Sequence, residues 1–200
     1  MFYRPAQGHG LPHDPFSAIV SPRPIGWIST RGKLGDNLAP YSFFNAAAYT
    51  PPQVVFSSLG AKEDRDGTKD SLAQIRESGV FCVNLVEPAL VEVMNASTAP
   101  YPAGVDEFAA CGIEKAECSE IDCPRVAQAP AALECRFVGE MPLLGMADVL
   151  VHAEVVGVHL REDCLTDGIY HPPGWVSRLG YRGDYATVTD TWELLRPRLK

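Results

Sequence analysis

At 200 residues with 46% hydrophobic content, the chain is long enough for one domain with a substantial core and too apolar to stay disordered. Its 17 basic and 25 acidic residues leave a net charge of −8, which argues against a general nucleic-acid surface or an anionic-membrane surface. No apolar run approaches the roughly 20 residues a membrane-spanning helix needs, and residues 1–16 lack the pattern of a targeting peptide, so a single cytoplasmic domain is expected.

Met1–Asp14 is rich in Gly, Pro and His and reads as a loose leader. His9 and His13 would share a helix face, but Gly10 and Pro12 oppose a helix there, so metal binding is not expected. The short apolar run Phe16–Val20 suits a first strand. Pro22 and Pro24 fix their own φ and push their predecessors toward extended geometry, so a strand follows over Ile25–Arg31. Gly32–Asn37 supplies a turn, and Leu38–Tyr49 continues as a second extended segment before Thr50-Pro51-Pro52 reverses the chain. This hairpin carries Ser29, Thr30, Ser42 and Asn45 near strand ends. They could line a ligand site or be the polar residues that ordinary turns contain.

Val54–Ser58 is a β-branched, aromatic strand that finishes in the hydroxyls of Ser57 and Ser58. Ala61–Thr68 is a polar, charged loop. Beyond it, Leu72 and Ile75 share a helical face over Leu72–Ser78, with Asp70 or Thr68 as cap and Gly79 as the terminating residue. Such a helix start offers unpaired N–H groups and partial positive charge beside Lys69 and Ser71. A phosphate would fit there, and so would a plain capped surface helix. Val80–Val86 reads as a buried strand, and Pro88 opens a helix over Ala89–Ala96 with Leu90, Val93 and Met94 as its apolar stripe. Ser97–Pro130 is irregular.

Leu133–Met141 and Val149–Leu160 are two more strands. Strict alternation in the second puts His159 on one face with Val151, and His152 with Glu154 on the other. A His152–Glu154 contact would raise the imidazole pKa; a core histidine with a satisfied hydrogen bond is the alternative. Trp175–Tyr185 mixes aromatics with Arg178 and Arg182. About seven or eight strands against two short helices argue for a mostly-β barrel with helices packed outside. The six cysteines, at positions 82, 111, 118, 123, 135 and 164, follow no disulfide framework and are expected to be reduced. Cys111, Cys118 and Cys123 lie close in sequence, but with no C-x-x-C pair and no nearby histidine they read as small buried or half-buried thiols, not metal ligands.

Taken in order, SPRPIGWIST, NLAPYSFFNAAAYTPPQVVFSS, TKDSLAQIRESGVFCVNLV, MNASTAPYPAGVDEF, PRV followed by ALEC, and RLGYRGDY resemble the flavin reductase-like, FMN-binding split-barrel family, in its flavoredoxin-related branch. The resemblance spans roughly Pro15–Tyr185. It implies a split β-barrel over residues 1–200, with 1–14 as leader and 186–200 as tail, that dimerises and holds FMN near the subunit interface. Carried over by position, it places Ser29, Thr30 and Asn37 near the flavin or its ribityl chain and Ser42, Phe43 and Asn45 along the isoalloxazine edge. Ser57 and Ser58 join them, and Lys69, Asp70 and Ser71 serve the phosphate, all around one cavity.

Trp27, Phe43 and Phe44 would supply the flat apolar slot a flavin needs. The implied activity is hydride or electron transfer from NADH or NADPH to flavin, with an FMN-binding electron-transfer or flavin-storage protein as the alternative and a monooxygenase or electron-transfer protein as possible partner. Hydride transfer between stacked rings requires positioning and no general base, so no catalytic residue is nominated. His152 is only a weak candidate. Neither His152 nor Cys111 matches the family pattern, and neither inherits a role from it.

Overall fold

The computed structural model describes residues 1–62, 67–180 and 183–198. Residues 63–66 of the expected polar loop, and Tyr181 and Arg182 of the last motif, lie outside the described residues. Strands follow in the order β1 (Arg23–Pro24), β2 (Gly26–Gly32), β3 (Gly35–Tyr41), β4 (Phe44–Tyr49), β5 (Pro52–Ser58), β6 (Val80–Asn84), β7 (Lys115–Glu117), β8 (Pro124–Val126), β9 (Ala131–Pro142) and β10 (Val149–Leu160). The short strands β11 (Leu165–Thr166), β12 (Ile169–Tyr170), β13 (Trp175–Arg178) and β14 (Tyr185–Val188) complete them. The α-helices are α1 (Phe16–Ile19), α2 (Asp70–Ser78), α3 (Val91–Ala96) and α4 (Glu107–Ala110).

Seven strands form one antiparallel sheet in the order β3-β2-β6-β9-β10-β5-β4. Its two edges, β3 and β4, are consecutive in the chain and separated only by Ser42 and Phe43. A flat sheet of this width would hold its edges roughly 29 Å apart, whereas the chain from Tyr41 to Phe44 reaches about 10 Å. The sheet therefore curls until its edges meet. β3 and β4 are not ladder partners, and the closure is a seam crossed by the chain at Ser42 and Phe43, while the Ser57 amide bonding the Phe43 carbonyl at 2.8 Å extends the β4–β5 ladder up to it. This is a split barrel.

Inside lie Ile28, Tyr41, Phe44, Phe56, Phe81, Val83 and Val151, closed at one end by Leu72 and Ile75 of α2. Each of those two helix residues is buried, worth about 1.5–3 kcal/mol on apolar area. The predicted face of α2 is thus the packed one, and Gly79 ends the helix at φ 74°, in the left-handed region glycine tolerates. A second core outside the barrel joins Trp27, Leu38, Met94, Phe108, Val126 and Val176.

Five expectations change. Phe16–Val20 is one helical turn, started by the Pro15 carbonyl and by Asp14 accepting the Phe16 amide at 3.0 Å; its large apolar side chains Phe16, Ile19 and Val20 are exposed, so no sheet recruits it. Leu38–Tyr49 is two strands on opposite edges, because the chain crosses the seam at Ser42. The helix after Pro88 begins as a 3-10 turn, Pro88–Leu90, before α3. The irregular stretch holds α4 and the β7–β8 ribbon. Finally, β10 carries a bulge between Val155 and Gly157. Bulges break alternation, so His159 leaves the Val151 face and bonds Glu134 behind the sheet at 2.5 Å. A Cβ on Gly157 would lie 3.1 Å from the Glu134 carboxyl carbon, so the glycine makes room for that pair.

Candidate functional site

Asn37, Pro40 and Tyr41 of β3 face the first turn of α2 and the segment Ser97–Pro100 across a cleft of about 310 Å³. Lys69, Asp70 and Ser71 open into it, with Lys62 beside them. Lys69 stands at the helix N-cap, and its side chain caps none of the amides behind it. Neither Asp70 nor Thr68 plays the expected capping role; Asp70 instead pairs with Lys62 at 3.0 Å. A second cleft of about 420 Å³ shares Pro40 and Thr98 with the first and continues along β3 past Ser42 to Ile25, Met94, Asn95, Arg178 and Tyr185. Beyond the seam a third, of about 530 Å³, holds Phe43, Asn45, Ser57 and Arg23. Ser58 lines a smaller one of about 200 Å³ that also reaches Lys69.

The expected single cavity is therefore several clefts, and the seam is the physical reason. Asn37, Lys69, Asp70 and Ser71 share one cleft, Ser42 stands in its extension, and Phe43, Asn45 and Ser57 are on the far side. Ser29 and Thr30 line none of these clefts. Ser29 is fully buried behind the sheet, donating to the Pro124 carbonyl at 2.6 Å and accepting from Asn84 at 3.0 Å. Thr30 donates to Gln74 of α2 at 2.5 Å. Trp27 is not part of a slot: its ring is fully buried in the outer core and its Nε1 donates to Ser97 at 3.0 Å. His152 bonds Gln53 at 2.6 Å instead of Glu154, because Gln53 is on the neighbouring strand within reach of the ring.

The charges around α2 explain what the first cleft can attract. Lys69 makes no ion pair or hydrogen bond from its ammonium among the described residues, and lies over the Tyr41 ring at 5.8 Å. Burial, then the neighbouring charge of Lys62, holds its pKa below the ordinary lysine value. Burial pushes the Tyr41 phenol up, opposed by hydrogen bonds with Ser71 and Ser58. Burial likewise raises Glu107 on the opposite wall, against the Leu38 amide it accepts at 2.9 Å. A helix start whose N-cap side chain makes no cap bond, beside a half-buried ammonium with no partner among the described residues, offers an anion free donors and positive field. Next to it, Ile25, Pro40 and Met94 offer apolar surface, with Ser42, Asn95 and Thr98 as polar groups, so the residues present suit a phosphate joined to a flat heterocycle.

Residues 19–181 match the family model described as flavin reductase like domain. The chain belongs to that family. This flavin reductase-like domain is 45% identical over 192 residues to an uncharacterized protein of Deinococcus radiodurans, covering 90% of this chain and 82% of that protein. Among solved structures it resembles nitrilotriacetate monooxygenase component B from Bacillus cereus, with a TM-score of 0.82 and 28% identity over 90% of each chain. It shares its fold with flavoredoxin of Desulfovibrio vulgaris, at a TM-score of 0.75 and 19% identity over 88% of this chain and 91% of that one. Lys62, Asn95, Thr98 and Arg23 of the flavin reductase-like domain were not nominated from sequence. Thr98 and Asn95 stand in the MNASTAP motif, which carried the resemblance without naming a residue. Lys62 sat in a loop readable only as polar.

Proposed function

We propose that this protein is an FMN-dependent oxidoreductase that takes hydride or electrons from NADH or NADPH. The observation that carries this reading is Lys69: a half-buried ammonium without a counter-charge in bonding distance among the described residues, at the N-cap of α2, inside a family of flavin proteins. Lys69 and the first-turn amides of α2 would hold the FMN phosphate, with Lys62 adding positive field. Asn37 and Ser71 fix that helix start against β3 through their 2.9 Å bond. Ser42, Asn95 and Thr98 would meet the ribityl chain and ring edge, and Phe43, Asn45, Ser57 and Ser58 the parts of the site across the seam. Ser29 and Thr30 would act from behind, holding β2 in place.

When bound, FMN supplies a ring that accepts hydride and passes electrons on. The protein's share is positioning, so no side chain need carry a proton. A groove of about 470 Å³ lined by Pro24, Phe44, Leu133, Leu160, Trp175 and Val176 borders Asn45, and a second copy of the chain would cover it, giving a homodimer whose interface reaches the far side of the seam. By analogy with the component B structure, the reduced flavin would serve a separate monooxygenase. No helix among the described residues is long and apolar enough to cross a membrane, and we place the protein in the cytoplasm.

The test is a visible spectrum of the purified protein followed by anaerobic stopped-flow mixing with NADH and NADPH. Bound flavin that bleaches rapidly with one of them supports the oxidoreductase. Bound flavin that neither reduces would leave an electron-transfer or storage protein, and no affinity for FMN would overturn the reading.

A further inference from the structure

Cys118 and Cys123 face each other where the β7–β8 ribbon runs out. Glu117 pairs with Pro124, the next step sets Cys118 opposite Cys123, and the Cys118 amide donates to the Cys123 carbonyl at 3.1 Å. Directly opposed residues of an antiparallel pair lie about 4.5–5.5 Å apart at Cα with side chains on one face. A disulfide spans about 4.4–6.8 Å. Cys123 and, from β6, Cys82 belong to one buried cluster behind the sheet, and Cys118 packs against it. Cys118 is partly exposed, whereas Cys123 and Cys82 are fully buried.

We propose that Cys118 and Cys123 are a peroxide-oxidisable dithiol. The Cys118 thiolate attacks a hydroperoxide; an S–O bond forms, the O–O bond breaks, and the departing oxygen takes a proton to leave as water or alcohol. The Cys123 sulfur then attacks the resulting sulfenic acid; the S–S bond forms, the S–O bond breaks, and water leaves with the Cys123 proton. Two thiols are oxidised and one peroxide is reduced. Cys118 is suited to the first step, because it is the accessible thiol of the cluster, and its closeness to Cys123 and then Cys82 draws its pKa below the ordinary thiol value despite burial. Cys123 is suited to the second because it is adjacent and shielded.

Cys118 also approaches Glu134 and His159, with one donor atom of each within 4.8 Å of the others, a set that could suggest zinc. Glu134 argues against it. Its oxygens already accept from Ser119 at 2.7 Å, Glu120 at 2.7 Å, Ile121 at 3.1 Å and His159 at 2.5 Å, which fills a carboxylate's lone pairs.

The test treats the reduced, full-length protein with hydrogen peroxide, blocks remaining thiols and maps tryptic peptides. Residues 116–125 form one tryptic fragment containing these two cysteines and no other. That fragment should lose two hydrogens and regain them with dithiothreitol, with Cys118 reacting at least about tenfold faster than Cys111. Cys123→Ser, or Cys123→Ala if the first variant folds poorly, should stop at a Cys118 sulfenic acid trapped by dimedone. Cys111→Ser should behave as wild type. A Cys82–Cys118 bridge, equal reactivity of Cys118 and Cys111, or stoichiometric zinc that shields the thiols would each overturn the proposal.

Discussion

The Asn37 side-chain amide donates to the Ser71 hydroxyl at 2.9 Å, and that bond ties an edge strand of the barrel to the first turn of α2. Both groups are buried, so removing one leaves the other without water to replace it. Asn37→Ala is expected to lower unfolding stability by about 1–3 kcal/mol. The measurement is urea unfolding, where the midpoint should fall at unchanged slope. An unchanged midpoint would mean the bond contributes nothing.

Lys69 offers a sharper test of the proposed anion site. Lys69→Met should weaken FMN binding by about tenfold to a hundredfold, the range for losing a charge-assisted hydrogen bond, and leave riboflavin binding nearly unchanged. Fluorescence titration of both flavins reads this out. Burial and Lys62 depress the Lys69 pKa, so the ammonium is lost with rising pH before the ordinary 10.5. Phosphate affinity of the wild type should fall over that alkaline window. Binding should there be accompanied by proton uptake, which calorimetry in two buffers detects and which Lys69→Met should abolish.

Glu134 links acid stability to the ribbon. Burial alone would raise this carboxyl, but the Ser119 and Glu120 amides and His159 outweigh it and hold its pKa below the ordinary 4.5. The folded form therefore keeps the charge at a pH where the unfolded chain takes up a proton. The stabilisation is complete above about 4.5 and is lost as pH falls through the depressed value. Glu134→Gln would point an amide donor at other donors. It should cost about 1.5–3 kcal/mol near neutral pH and flatten the acid limb of a stability-against-pH curve.

Trp27 is the largest side chain of the outer core, and its indole bonds Ser97, one residue before Thr98 in the cleft. Trp27→Ala should cost about 3–5 kcal/mol. Trp27→Phe keeps most of the volume and should lose less, while still releasing Ser97. If FMN affinity drops with Trp27→Phe although the fold holds, the indole positions the Ser97–Pro100 wall; unchanged affinity would show that the wall stands without it.

Local chemistry made much of this legible in advance. The prolines before Ile25, the Leu72 and Ile75 face of α2, and Gly79 at its end are signals contained in a few neighbouring residues, and the structure keeps them. The place of Lys69 and Ser71 at the start of α2 was readable for the same reason, since a helix start announces its own unpaired amides. What was not legible depends on residues distant in sequence. Ser29 and Trp27 look like pocket residues until the strand's other face acquires Pro124 and Ser97. His159 has the correct spacing for the wrong face until a bulge at Val156 shifts it. Cys82 and His159 reach Cys118 only after β6 and β10 take their places, so no spacing rule could join them.

The step through Ser42 and Phe43 acts as a hasp that sets the girth of the whole cylinder. One residue inserted there would slip one rim against the other by a pleat, turning inward side chains outward along the strand that moved. The same insertion between β9 and β10, near Met146, would leave the circumference untouched. Tolerance to length change should therefore be lowest at the smallest link in the chain and greatest at one of its longer hairpin tips.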